Sequence, residues 1–153
     1  MLALARGLPV FQPEKLTDDV RAEFAALGSD VALVLAYGHI LRDAFIATPR
    51  LGTLNLHTSL LPKYRGRAPI NWAVLHGEPR IGMTLHRMVR SADAGAIVDQ
   101  EGVDLGPRDT AEQAFRQVLP CARRVLARQI DALLAGRAPE TPQDDAQATY
   151  FTG

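Results

Sequence analysis

Six consecutive apolar residues, Val31-Ala32-Leu33-Val34-Leu35-Ala36, run straight into Tyr37-Gly38. A short run without polar alternation suits a strand buried on both faces, as in a parallel sheet covered by helices. It points to an α/β domain. Around it, helix-period segments alternate with other short strands, and neither an internal repeat nor a low-complexity tract is present. Thr17-Asp18-Asp19 offers a helix cap and an acidic first turn, Val20, Phe24 and Leu27 recur at helical spacing, and Gly28 closes the segment. Leu41 to Ile46 reads as a short helix ended before Pro49.

Thr53-Leu54-Asn55-Leu56-His57 alternates as a second strand, and Pro69 opens a helix that runs to Gly77. Two further strands, Ile81 to Val89 and Ala96 to Val103, flank a turn at Asp93-Ala94-Gly95. The clearest helix starts on the capping-box pattern Thr110-Ala111-Glu112-Gln113 and puts Phe115, Val118, Leu119, Ala122, Leu126, Ile130 and Leu133 on one stripe. Pro120 should kink that helix or split it, because proline removes a backbone donor and clashes with the preceding turn. Beyond Gly136 the chain is rich in Pro, Gln and Asp, so residues 137–153 read as a linker after a domain spanning 1–136.

Composition narrows the function. The chain has 153 residues with 17 basic and 17 acidic side chains, a formal net charge of zero. At that length a globular chain buries roughly 68–70% of the surface it exposes unfolded, enough for a core without staples. Balanced charge excludes the broad positive field of a non-specific nucleic-acid binder, so nucleic acid is not the expected partner. The single cysteine, Cys121, makes no disulfide, and the expected compartment is the cytoplasm. The longest apolar run, Val31 to Tyr37, falls far short of the ~20 residues that cross a bilayer.

Asn55 and His57 are two apart on a strand, so both side chains leave the same face near its C-terminal end, where open α/β sheets bind ligands. A carboxamide donor beside an imidazole can stabilise oxygen charge at a carbonyl under attack and move a proton. Asp93, in the turn between two strands, is the natural third member; a carboxylate near His57 would raise the imidazole pKa. The plainer reading, two satisfied polar residues at a strand end, stays open on these residues alone. His76 and His86 lack metal-ligand spacing, so no metal is expected. Ser59 lacks the Gly-x-Ser-x-Gly elbow of a hydrolase nucleophile.

The run from Asn55 through Leu60-Leu61-Pro62-Lys63-Tyr64-Arg65-Gly66-Arg67-Ala68-Pro69 to Trp72, with Leu85-His86-Arg87-Met88 and Ala92-Asp93-Ala94-Gly95-Ala96-Ile97-Val98, resembles the 10-formyltetrahydrofolate-dependent formyltransferases. Their shared signature is Asn-x-His-x-Ser-Leu-Leu-Pro with a later Asp-x-Gly. The flanks look most like the ArnA branch, the formyltransferase domain of bifunctional polymyxin-resistance proteins, which formylates the amine of UDP-4-amino-4-deoxy-L-arabinose. The resemblance implies a partial Rossmann-like catalytic domain, with a mostly parallel sheet flanked by helices and the family's first strands missing. By the same resemblance the sequence is expected to stop before a smaller C-terminal domain of the family.

That resemblance also implies roles. His57 becomes the general acid, Asn55 the oxyanion donor and Asp93 the group that tunes His57 or accepts the amine proton. His39, Ile40 and Leu41 would seat the pterin, Arg67 would grip a folate carboxylate, and Val89, Arg90, Ser91, Ala92 and Asp93 would complete the folate cleft. The expected co-substrate is 10-formyltetrahydrofolate, and the expected acceptor a nucleotide-linked amino sugar. Methionyl-tRNA, another amino sugar, or an inactive remnant that at most binds folate are the alternatives. Lys63 and Arg65 read as solvated loop charges.

Overall fold

In the computed structural model, which describes residues 2–152, four strands form one sheet in the order β1-β2-β4-β5. They are β1 (Ala32–Leu35), β2 (Thr53–His57), β4 (Arg80–Arg87) and β5 (Ile97–Asp104). A small second sheet pairs β3 (Arg65–Gly66) with β6 (Tyr150–Phe151). The helices are α1 (Leu2–Ala5), α2 (Asp18–Ala26), α3 (Asp43–Ile46), α4 (Pro69–Leu75) and α5 (Ala111–Leu134). The α/β architecture is as expected, but the pairing is mixed rather than mostly parallel. Only β1 and β2 run parallel; β2 with β4 and β4 with β5 run antiparallel. Residues 88–96 fold straight back between β4 and β5, and a short connection of that kind allows only an antiparallel pair.

Side-chain alternation gives this sheet two unlike faces. Leu54 and Leu56 of β2 join Ile81, Met83 and Leu85 of β4 in one apolar cluster with Val118, Cys121 and Val125 of α5. Each large aliphatic side chain buried there contributes about 1.5–3 kcal/mol. The opposite face carries Asn55, His57, Thr84 and His86, because Asn55 pairs with His86 and His57 with Thr84 across the ladder. The loop after β2 folds over this polar face: Thr84 donates to the Ser59 carbonyl at 2.6 Å and accepts from the Leu61 amide at 3.2 Å. Gly82 makes room for that cover, since a Cβ there would lie 2.5 Å from a Leu60 methyl.

Helix α5 opens on the expected capping box, with the Thr110 hydroxyl accepting from the Gln113 amide and the Gln113 carboxamide from Thr110. Of the two outcomes expected at Pro120, a kink or a split, the split does not occur: one helix runs from Ala111 to Leu134. Pro120 is solvent-exposed, so water can satisfy the carbonyl one turn back that proline leaves unpaired. The buried stripe also differs from the sequence reading. Ala114, Val118, Cys121, Ala122, Val125 and Leu133 face inward, whereas Phe115, Leu119 and Ile130 are about 40% exposed. Small residues on the inward stripe let the helix lie close to the sheet.

The strand read as buried on both faces proves half open. In β1, Leu33 and Leu35 are 46% and 49% exposed, because β1 is the edge of the sheet and α2 buries no residue against it. Total exposed area is 9787 Å², against roughly 7,600 Å² for a compact chain of this mass. The tail is anchored rather than loose. Thr141 and Ile97 exchange backbone hydrogen bonds at 2.8 Å, and Tyr150–Phe151 lies beside Arg65–Gly66. Phe151 stacks on Tyr64 and Trp72, with ring centroids 5.3 and 4.8 Å away.

Candidate active site

The polar face of β2 and β4 meets the Asp93 turn, and there Asn55, His57 and Asp93 come together. Asp93 Oδ1 lies 3.3 Å from Asn55 Nδ2 and 3.6 Å from His57 Nδ1. Its other oxygen, Oδ2, accepts from the Gly66 amide at 2.9 Å. Asp93 takes a backbone φ of +53°, a left-handed conformation that strains a residue with a side chain. Two residues on, Gly95 lies so close to β4 that a Cβ would fall 1.9 Å from the Arg87 carbonyl oxygen. The turn is thus folded tightly back, which delivers the carboxylate to the imidazole.

His57 is 7% exposed and its Nε2 stands 2.8 Å from the Tyr64 carbonyl oxygen. A carbonyl only accepts, so neutral His57 carries its proton on Nε2 and turns a bare Nδ1 toward Asp93. Burial depresses its pKa more than the neighbouring Asp93 charge and the Tyr64 carbonyl raise it, and the net direction is downward. The sequence expectation of a raised pKa is therefore corrected: the carboxylate pulls as foreseen, but desolvation of the imidazolium outweighs it. Burial pushes the Asp93 carboxyl up, yet its partners hold it below the usual carboxylate range: His86 and His57 through the protonated forms of their rings, and the Gly66 amide by donating to Oδ2.

His86 is the member that the sequence reading left out. It is 1% exposed, with Nδ1 2.8 Å from the Arg87 carbonyl oxygen and Nε2 3.3 Å from Asn55 Nδ2 and 3.5 Å from Asp93 Oδ1. The carbonyl fixes the proton on Nδ1, leaving Nε2 free to accept from Asn55. Both carboxamide hydrogens of Asn55 are thereby directed, one to Asp93 and one to His86. The available signal was its place on β4, two residues beyond Thr84 and on the same face.

The expected folate residues are more scattered. His39 and Ile40 are exposed beyond β1, and Leu41 is half-buried. Arg67, Val89, Arg90, Ser91 and Ala92 are exposed; the backbone amide of Arg67 donates to the Phe151 carbonyl at 2.8 Å. Two cavities, of about 320 and 220 Å³, are lined instead by residues such as Thr58, Asn71 and Glu112, and Phe24, Asp30 and Arg50. Arg65, expected in solvent, is 8% exposed and bonded to Gln143 and Asp145. Lys63 is exposed, 3.4 Å from Glu78. Among the described residues no cluster suited to a metal ion occurs, and no helix is long and apolar enough to cross a membrane.

The mixed sheet gathers an amide, two imidazoles and a carboxylate at one strand end, groups able to donate to an oxyanion and to carry a proton. The chain belongs to the formyl transferase family, whose model matches residues 5–130. It is 42% identical over 149 residues to a methionyl-tRNA formyltransferase of Sorangium cellulosum, covering 97% of this chain and 48% of that protein. The chain thus spans about half the length of that curated relative. Glycinamide ribonucleotide transformylase 1 from Symbiobacterium toebii matches with a TM-score of 0.80 at 25% identity, over 93% of this chain and 73% of its own. The formyltransferase PseJ from Anoxybacillus kamchatkensis, solved with UDP-4,6-dideoxy-4-formamido-L-AltNAc and tetrahydrofolate, shares the fold. Its TM-score is 0.79 at 22% identity, over 98% of this chain and 77% of that one.

Proposed function

We propose that this chain carries the catalytic centre for moving a formyl group from 10-formyltetrahydrofolate to a primary amine. The observation that carries the reading is the convergence of Asn55 and His57, at the end of β2, on one Asp93 oxygen that lies 3.3 Å from the carboxamide and 3.6 Å from the imidazole. The amine nitrogen attacks the formyl carbon, the bond from that carbon to N10 breaks, and a formamide and tetrahydrofolate result. Asn55 turns one of its two N–H groups away from Asp93 or His86, which hold both in the unliganded site, and gives it to the formyl oxygen as negative charge builds there, an effect worth about 10²–10³ in turnover. His57 starts neutral, so it takes up the proton the amine sheds and then returns it to N10 as general acid. Asp93 holds that imidazolium while it exists, and general acid–base transfer of this kind supplies about 10²–10⁴. Arg67 and residues 89–93 flank the centre on loops and are the candidates to hold the folate.

Methionyl-tRNA is the acceptor best supported, since the relative that shares 42% identity over 97% of this chain carries that activity in its name. This departs from the charge argument, because a neutral chain that spans 48% of that relative need not contain the surface that grips the tRNA. The nucleotide amino sugar UDP-4-amino-4-deoxy-L-arabinose is the second reading, supported by the motif flanks Leu61 to Pro69 and Ala92 to Val98; it would tie the chain to lipid A modification and polymyxin resistance. Turnover of 10-formyltetrahydrofolate with each acceptor separates them: formylmethionyl-tRNA is the expected product. Formylation of the sugar alone would reverse the order, and no product from either amine would overturn the reading.

A further inference from the structure

One side chain from the tail is wired into the Asp93 turn. Gln143 Nε2 donates to the backbone carbonyls of Asp93 and Gly95, both at 2.7 Å. Its Oε1 accepts from Arg65 Nε and Nη2 at 3.0 and 2.8 Å. Carbonyls only accept and a guanidinium only donates, so these partners allow a single orientation of the carboxamide and use all its hydrogen-bonding capacity. Arg65 is itself fixed: it is 8% exposed, lies in β3, and pairs with Asp145 at 2.7 Å. The next residue, Gly66, supplies the amide that holds the Asp93 carboxylate.

The Asp93 side chain is therefore held by Gly66 and its backbone by Gln143. A left-handed φ of +53° at a residue other than glycine persists only where its surroundings enforce it. We propose that Gln143 is a positioning residue for formyl transfer. It clamps the Asp93–Gly95 backbone so that Asp93 Oδ1 stays within reach of His57, and Arg65 keeps the clamp oriented. The catalytic half of this proposal rests on the formyl-transfer reading above; the geometric half does not.

Gln143→Met in the full chain keeps the length and volume of the side chain and removes all four hydrogen bonds. The His57 ring is then titrated by NMR beside steady-state kinetics and a melting curve. With the clamp lost, the Asp93 charge that raises the imidazole pKa moves off, so the His57 midpoint falls. The expected kcat is lower by about 10- to 100-fold, as for a displaced reacting group, with KM for the folate within about twofold. An unchanged His57 midpoint in a folded Gln143→Met protein overturns the proposal, whatever the turnover. Absence of turnover in the unmodified chain would instead sink the formyl-transfer reading, and the titration would still decide the clamp. Should the variant not fold, proton exchange at the Gln143 carboxamide of the unmodified chain decides: marked slowing relative to exposed Gln12 is expected, and equal rates overturn the clamp.

Discussion

Asn55 and His86 stand opposite each other on β2 and β4, with Nδ2 and Nε2 3.3 Å apart. His86→Ala would leave an Asn55 N–H and the Arg87 carbonyl without their partner in a buried pocket. The expected cost is about 1–3 kcal/mol of stability, read from urea unfolding with an unchanged slope. Freed of its second partner, Asn55 should also orient less well, lowering kcat more than it changes KM. A variant as stable and active as the unmodified chain would show that the pair is incidental.

Asp93→Asn keeps an acceptor for the Gly66 amide but deletes the charge beside His57. The His57 midpoint, already depressed by burial, should fall further, and turnover should drop by about 10²–10⁴. NMR titration of the ring and single-turnover kinetics check the two halves separately. An imidazole that titrates higher in Asp93→Asn would contradict the electrostatic account.

Stability should fall on mild acidification. An unfolded imidazole takes up its proton near pH ~6.5, whereas folded His57 does so only at lower pH because burial disfavours its charge. Between those values the unfolded state binds more protons, so the contribution is fully present above ~6.5 and is lost as pH drops toward the folded value. Asp93, also depressed, adds a loss of the same sign below its unfolded value of ~3.9. Melting temperatures from about pH 7.5 to about pH 5.5 should decline more for the unmodified chain than for His57→Gln, which has no imidazole to protonate.

Pro120 lies inside α5 on its exposed side. Pro120→Ala restores the donor for the Arg116 carbonyl and relieves the ring clash, a gain of up to ~3 kcal/mol. Loss of the proline's restraint on the unfolded chain offsets part of that. A net rise of about 1–2 kcal/mol, measured by denaturant midpoint, is expected with no change in kcat; a lower midpoint would mean that the proline sets the helix's path.

Much of the framework was legible because local rules act over a few residues. The Thr17 and Thr110 caps, the start at Pro69 and the shared face of Asn55 and His57 all follow from spacing alone. What stayed hidden depends on register and contact. His86 joins the site only because β4 pairs antiparallel with β2 at one particular offset, which no single strand's pattern contains. In α5, two neighbouring stripes share the same period, and packing on the sheet buried Ala114 and Val125 while leaving Phe115, Leu119 and Ile130 outside. Residues 137–153 look like a linker by composition, yet backbone bonds at Thr141, Thr149 and Phe151 and the Gln143 carboxamide dock the described part of it. The His57 shift was misjudged because a charge partner is visible in a motif and burial is not.

Leucines and reactive groups are interleaved residue by residue along β2. Deleting a single amino acid upstream within that strand would rotate everything beyond it by half a turn, thrusting the imidazole into grease and the leucines among buried polar groups. Folding and chemistry in this chain hence share one alignment, and no slippage can damage either while sparing the other.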